Sequence, residues 1–263
     1  MIVQGIRSQT EIATLLDRSY DEPYVPRREN GACVFFEPGR ERHCAVHRLA
    51  GEDLLPSSCR HFPRVVLRDA RGTFITLSCF CPTAAGMLED DIPLAIVEAP
   101  ASLALNGNLE GLDATAVLPP LLRPGVLTDY DGYSAWEHAA ITVLDRDDLD
   151  ARASLDVIAE ATAHAQRWAP GTTTLADHVA EAFADAAAPA RDRSALESRP
   201  LRMFLAAHLF ASWAAYQSGG LSRVVSAGRE ALALVEEELA GGVSFVDAVR
   251  ATDRKLRHME RVP

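Results

Sequence analysis

The chain has almost no lysine, because Lys255 is the only one among its 26 basic residues. Acidic side chains outnumber basic ones, and the formal net charge is −11 with a pI near 5.2. Proteins that bind nucleic acid or anionic membranes are usually basic. We therefore expect neither of these partners, and expect a protein substrate or a protein partner instead.

The sequence also lacks a long apolar segment and a targeting signal. Its longest apolar stretch, residues 203–216, includes His208 and is shorter than the roughly 20 residues of a membrane-spanning helix. The first 20 residues contain no basic segment followed by an apolar one, as a signal peptide would. We expect a soluble, cytoplasmic protein, in which clustered cysteines indicate metal binding or redox chemistry rather than disulfides.

Cysteine is confined to one part of the chain. None follows residue 81, and the five present are Cys33, Cys44, Cys59, Cys79 and Cys81. Thiolates bind zinc and iron–sulfur clusters, and such a site needs about four of them. The gaps between successive cysteines are 11, 15, 20 and 2 positions, so no CxxC pair is present and the spacing matches zinc motifs weakly. The alternative, that these are buried small apolar side chains, is disfavoured by their clustering.

Histidines and arginines accompany the cysteines. His43, His47 and His61 are alternative ligands, although a single histidine is more often structural. Residues 27–71 contain nine arginines and six acidic residues. These arginines either offset the negative charge of several thiolates or are simply exposed to solvent.

The remaining pattern predicts a mainly α protein with three parts. Residues 1–92 form an irregular, cysteine-rich, metal-organised module, residues 93–127 a proline-rich connector, and residues 128–263 a helical bundle. Within the first part we predict a short helix at residues 9–19 and a hairpin at residues 64–77 that turns at residues 70–72.

Helix signals divide the bundle. Ser134, with Glu137 three residues later, predicts a capping box at the start of its first helix. Further helices are predicted at residues 150–168, at 174–187, from Pro200 to the glycines at 219–220, at 221–239 and at 244–259. His208 lies on the apolar face of the Pro200 helix and is predicted to be a core histidine.

Four short segments contain the cysteines: CVFF at 33–36, HCAVH at 43–47, LPSSCRHFPR at 55–64 and LSCFCP at 77–82. Together they resemble a cysteine-cluster family described as zinc- or iron-chelating domains, most closely the branch that contains the flagellin lysine-N-methylases. The resemblance covers residues 31–85, and weaker similarity continues around residues 136–137 and 201–216. The upstream C-x₃-C-C motif of that family has no counterpart before Cys33.

The resemblance implies a 4Fe–4S cluster, with zinc as the alternative, and makes Cys33, Cys44 and Cys59 the first three ligands. The family has one cysteine between Leu-Ser and Pro, whereas this chain has Cys79 and Cys81 there. Both stay open as the fourth ligand. Cys81 is preferred because the proline turn after it can hold its thiolate.

Two functions are therefore predicted. In the first, the cluster is structural or redox-sensing and the helical region binds a partner; in the second, the chain is a protein lysine N-methyltransferase. The second needs S-adenosylmethionine, but the sequence has no glycine-rich loop after a strand and no compact C-x₃-C-x₂-C set. No catalytic residue is assigned: Glu137 or His138 is a general-base candidate, and core packing of this aromatic-rich helix start is the alternative.

Overall fold

The computed structural model describes residues 33–37, 44–51, 55, 57–99, 111–171, 173–186 and 198–258. The chain divides into two compact units, Met1–His61 and Phe62–Pro263. Residue 92, where the sequence-based boundary was drawn, lies inside the second unit. The described residues are mostly helical, which confirms the mainly α prediction. The helix predicted at residues 9–19 lies outside them.

The described residues of the first unit form a turn and two short helices, α1 (Ala45–Ala50) and α2 (Ser57–His61). Four of these residues form a small buried apolar cluster: Val34, Phe35, Ala45 and Val46. A cluster of this size buries little apolar surface, so the hydrophobic effect contributes little to the stability of these residues.

The second unit begins with the predicted hairpin, which is confirmed. Strands β1 (Arg64–Asp69) and β2 (Gly72–Leu77) pair antiparallel, and Asp69 stands opposite Gly72. The Asp69 carboxylate accepts a hydrogen bond from the backbone N–H of Arg71 at 2.8 Å, as aspartate does in tight turns. Strand β3 (Leu112–Asp113) pairs parallel with β1, which gives the sheet order β2-β1-β3.

Short elements follow the hairpin. Helix α3 (Pro82–Gly86) leads into a 3₁₀ turn at Met87–Glu89, and β4 (Leu121–Arg123) pairs antiparallel with β5 (Val126–Leu127). The described part of the proline-rich connector thus contains only short strands and irregular backbone. No helix among the described residues is long and apolar enough to cross a membrane.

Among the described residues, six helices build the bundle: α4 (Tyr130–Asp145), α5 (Ala151–Ala165), α6 (Leu175–Asp185), α7 (Arg199–Leu209), α8 (Gly220–Ala240) and α9 (Phe245–Asp253). Four of them begin at a polar residue whose side chain accepts a backbone N–H of the first turn: Asp129, Asp150, Thr174 and Ser244. Each such cap stabilises its helix by about 1 kcal/mol.

The core lies where these helices meet. Helix α4 packs on α6 and α7, and α8 packs on α5, α7 and α9. Gly132 permits the close approach of α4 to α6, because a Cβ at this position would lie 2.4 Å from Cγ of Leu175. Tyr133 and Trp136 are fully buried, and Trp136 Nε1 donates to Thr162 Oγ1 at 2.9 Å.

Two predicted helix boundaries are wrong. Helix α4 begins after Asp129 rather than at Ser134, because the Asp129 side chain accepts the N–H of Gly132. The Pro200 helix ends at Leu209, where Ala211 adopts a φ of 49°, and only a 3₁₀ turn at Trp213–Tyr216 follows. The last helix is close to its predicted range of 244–259, because α9 ends at Asp253 and a π-helical turn over Arg254–His258 follows directly.

Candidate metal-binding site

Cys33 and Cys44 lie beside the same apolar cluster of the first unit. The N–H of Phe36 donates to Cys33 O at 3.1 Å, and Phe36 forms an antiparallel bridge with Cys44. The N–H of Ala45 donates to Phe35 O at 2.9 Å and extends this pairing. Both cysteines are half-buried and pack against the cluster. The fold thus brings two predicted ligands to one place, although eleven positions separate them.

The third predicted ligand, Cys59, is exposed on α2. Two positions later His61 is buried, and its Nδ1 atom has no hydrogen-bond partner among the described residues. A buried polar atom without a partner costs free energy, so this nitrogen has unused capacity to bind a ligand. His47 is half-buried on α1, whereas His43 lies outside the described residues.

The other two cysteines belong to the second unit, in a tight turn over residues 78–81 that we call the cysteine turn. The N–H of Cys81 donates to Ser78 O at 3.2 Å. The Cys79 side chain is 2% exposed and packs in an apolar cluster with residues of α3, α7, α8 and α9. Cys81 is half-buried and directly precedes Pro82, the first residue of α3. The two thiols therefore have different surroundings.

Burial also determines the protonation of Cys79. Burial, together with the nearby carboxylate of Asp253, raises the pKa of Cys79 to about 12. Burial in an apolar environment disfavours the charged thiolate, because the charge loses its hydration. At neutral pH the Cys79 side chain is therefore a thiol.

The Asp253 carboxylate at the end of α9 is fully buried and connects the cysteine turn to the helices. Its Oδ2 accepts from Ser78 Oγ at 2.5 Å and from the Phe80 N–H at 3.1 Å. Its Oδ1 accepts from Arg257 Nε at 2.9 Å and lies 3.2 Å from His208 Nε2. Burial alone would raise the pKa of Asp253, but His208 and Arg257 outweigh it and hold the pKa well below the usual range.

His208 is a core histidine, as predicted, and its side chain is 10% exposed. Arg257 Nη2 lies 3.3 Å from Nδ1 of the ring. Because arginine only donates, Nδ1 accepts, and the single ring proton lies on Nε2, next to Asp253. A second proton on Nδ1 would face the guanidinium. Burial and the charge of Arg257 accordingly lower the pKa of His208 to about 4, although Asp253 acts in the opposite direction.

This arrangement predicts a loss of stability in mild acid. An unfolded histidine takes up its proton near pH 6.5, whereas folded His208 takes it up near pH 4, so protons favour the unfolded state as the pH falls between these values. The free energy of unfolding should fall by about 2 kcal/mol from pH 7 to pH 5, at about 1.4 kcal/mol for each pH unit below 6.5. Urea denaturation at several pH values measures it.

The control is His208→Asn, whose Oδ1 can still accept from Arg257 but does not titrate. Its stability should change less over the same pH range, because only the other titrating groups remain. Parallel pH profiles for the two proteins would contradict the assignment of a neutral, buried His208.

A second buried polar group, the Arg71 cluster (Asp69, Arg71, Tyr133, Glu137 and Tyr216), joins the hairpin to α4 and the Trp213–Tyr216 turn. Arg71 Nη1 lies 2.6 Å from Glu137 Oε2, and Nη2 lies 2.8 Å from Asp69 Oδ2. Tyr216 OH also donates to Asp69 at 2.7 Å. The Arg71 guanidinium lies over the Tyr133 ring, 4.2 Å from its centroid.

Burial and charge pairing act in opposite directions on the pKa values of the Arg71 cluster. Burial works against the cation, but Asp69 and Glu137 raise the pKa of Arg71 above its ordinary value. The pKa of Asp69 is lowered, because hydrogen bonds from Arg71 and Tyr216 outweigh burial, whereas burial prevails at Glu137 and raises its pKa. Glu137 also accepts the N–H of Ala211 at 2.9 Å. Glu137, a general-base candidate from the sequence, is thus engaged in structural contacts, and the other candidate, His138, is exposed.

Comparison with known families, characterised proteins and solved structures gives no match to this chain. Its site must therefore be judged from its own residues. Three of the predicted sulfur ligands belong to the first unit and two to the second. Over the ranges that the structure describes, no group of three or more His, Cys, Asp or Glu side chains is arranged to hold a metal ion.

The donor chemistry of the first unit nevertheless fits a thiolate-bound metal. Its three cysteines are half-buried or exposed, and His61 Nδ1, which has no hydrogen-bond partner within the described ranges, belongs to a residue two positions after Cys59. Sulfur and imidazole nitrogen are the donors that zinc and iron–sulfur clusters take. The clustering of cysteine and the resemblance indicate these residues from the sequence, but neither indicates Asp253, because no local pattern connects a helix end with a turn 175 positions earlier.

Proposed function

We propose that this chain binds a metal through cysteine thiolates, as a 4Fe–4S cluster or, as the alternative, as zinc. The observation that carries the proposal is the convergence of Cys33 and Cys44 on one small apolar cluster, to which a turn, a bridge and α1 all contribute. This small cluster contributes little stability, and metal binding would supply what is missing, since thiolate sites contribute about 10 kcal/mol or more.

The proposed ligands are Cys33, Cys44, Cys59 and one residue of the cysteine turn. We favour Cys81 over Cys79 for the fourth position. The Cys79 sulfur packs among apolar side chains of four helices, so it would have to leave that cluster to reach a metal. Cys81 is partly exposed, and the rigid ring of Pro82 limits the backbone after it.

The iron–sulfur cluster is proposed to be structural or redox-sensing, in a cytoplasmic protein whose helical region binds a protein partner. Four thiolates suit both metals; the preference for iron–sulfur and the alternative function, a lysine N-methyltransferase that uses S-adenosylmethionine, both rest on the sequence resemblance alone. The acidic charge of the chain favours a protein partner over nucleic acid or membrane.

The proposal is tested by metal analysis and an absorbance spectrum of protein purified without oxygen. About four irons per chain with broad visible absorption would support the cluster, and about one zinc in a colourless sample would support the alternative. A sample that contains neither iron nor zinc would refute both alternatives. Heat released on titration with S-adenosylmethionine would favour the methyltransferase instead.

Replacement of one first-unit ligand gives the matching prediction. Cys59→Ser should lower both the metal content and the thermal stability of the purified protein, because a serine hydroxyl is a poor substitute for a soft thiolate. Cys59 is exposed, so the substitution removes no core packing. Full metal content and an unchanged melting temperature in this variant would contradict the role of Cys59.

A further inference from the structure

Helix α9 forms hydrogen bonds to the backbone N–H and to the backbone carbonyl of the residue between the two cysteines of the cysteine turn. That residue is Phe80. Its N–H donates to Asp253 Oδ2 at 3.1 Å, and its carbonyl accepts from Arg250 Nε at 3.3 Å. Ser78 Oγ donates to the same Asp253 oxygen at 2.5 Å. Asp253 and Arg250 both belong to α9, so α9 fixes the orientation of the peptide groups that flank Cys79 and Cys81.

Asp253 is itself held from the opposite side. Its second oxygen accepts from Arg257 and lies beside His208, and Arg257 Nη2 also donates to Ala207 O at 3.2 Å. These contacts place the carboxylate without any help from the cysteine turn. A carboxylate with both oxygens bonded in this way keeps one orientation and can transmit it to the turn.

We propose that Asp253 is a positioning residue that holds the cysteine turn in the conformation from which Cys81 binds metal. The inference rests on the proposed function, in which Cys81 is the fourth ligand. Groups that hydrogen-bond next to metal ligands orient them, and their loss typically lowers metal affinity about 10- to 100-fold. In this chain the orienting group acts on the backbone and on Ser78, not on the sulfur.

A purely structural role would have a different signature. If Asp253 only joined α9 to the turn, its replacement would destabilise the metal-free and metal-loaded proteins alike and would leave metal release unchanged once folding is taken into account. A positioning role instead changes the rate at which a folded, loaded protein loses its metal. The rate of metal release therefore separates the two roles.

The experiment uses full-length protein purified without oxygen with its own metal, and follows release to excess EDTA by absorbance and metal analysis. Asp253→Asn keeps the size of the side chain but places an amide where a carboxylate oxygen accepts. We expect release about 10- to 100-fold faster than in the wild type. The control, Asp156→Asn, removes a carboxylate that pairs with Arg229 at 2.7 Å on the surface and should leave release unchanged.

Circular dichroism and thermal unfolding of the metal-free proteins check that each variant folds. If Asp253→Asn does not fold, Arg250→Gln takes its place, because this side chain is about one-third exposed and its loss removes the bond to Phe80 O. It should also accelerate release, by about tenfold.

Each outcome decides the question. Faster release from folded Asp253→Asn or Arg250→Gln, but not from Asp156→Asn, supports the positioning role. If folded Asp253→Asn and Arg250→Gln release metal at the wild-type rate, or if Asp156→Asn accelerates release equally, the positioning role is overturned. The proposed metal site is not affected by that result. A wild-type protein that contains no metal overturns the proposed function, and the positioning role falls with it.

Discussion

Replacing Arg71 with methionine is expected to lower the free energy of unfolding by about 3–5 kcal/mol, because it leaves two buried carboxylates without their cation. The Arg71 side chain is 9% exposed, and those of Asp69 and Glu137 are 0% and 2% exposed. Water therefore cannot replace the guanidinium, and the stacking of Arg71 between the rings of Phe74 and Tyr133 is lost as well. Urea denaturation of the two proteins gives the difference.

The same substitution at the surface provides the control. Arg229 pairs with Asp156 at 2.7 Å, close to the distances in the Arg71 cluster, but both side chains are more than half exposed. Arg229→Met should therefore cost less than about 1 kcal/mol. The double variant Arg71→Met/Glu137→Gln should recover part of the loss, since one uncompensated charge is removed. Equal effects at Arg71 and Arg229 would rule out the proposed importance of the buried pairs.

Cys81→Ser is expected to remove the metal almost completely, whereas Cys79→Ala should keep it. Under the proposed assignment Cys81 is one of four ligands, and a thiolate site that loses one of them loses much of its binding free energy. Cys79 instead fills space among apolar side chains, so its truncation should cost about 1 kcal/mol of stability and no metal. Metal content per chain and the melting temperature of both variants measure these effects.

The two cysteines are controls for one another, because they lie two positions apart in the same turn. Metal loss in Cys79→Ala with retention in Cys81→Ser would reverse the assignment. Loss in both variants would mean either that both sulfurs bind or that the whole turn is disturbed, and circular dichroism would tell these apart. Retention in both would remove the cysteine turn from the site.

The features that could be predicted from the sequence depend on local chemistry. The hairpin over residues 64–77 follows from two apolar segments around Ala-Arg-Gly, and the long helices from apolar periodicity ended by glycine pairs. The predicted start of α4 is wrong because Ser134 and Glu137 match the capping-box pattern, whereas the helix is capped by Asp129, five positions earlier. Asp129 accepts the N–H of Gly132, whereas Ser134 lies inside the helix and accepts from Arg71.

The features that could not be predicted depend on contacts between distant residues. The apolar stripe of the Pro200 helix continues past Leu209, yet the helix ends there, and Glu137 on α4 accepts the N–H of Ala211. The different burial of Cys79 and Cys81 has the same origin. In the sequence only Pro82, directly after Cys81, sets the two apart, and no local pattern predicts the packing of four helices around Cys79.

The bond between Ser78 and Asp253 also has a consequence for biosynthesis. The two residues are 175 positions apart, and ribosomes add about 5–20 residues per second, so roughly 9–35 s pass between their synthesis. During that interval every nascent chain carries both cysteines of the turn without the carboxylate that will hold them. Metal delivered to the nascent chain would meet an unrestrained turn, and only delivery after translation of α9 would meet the finished one.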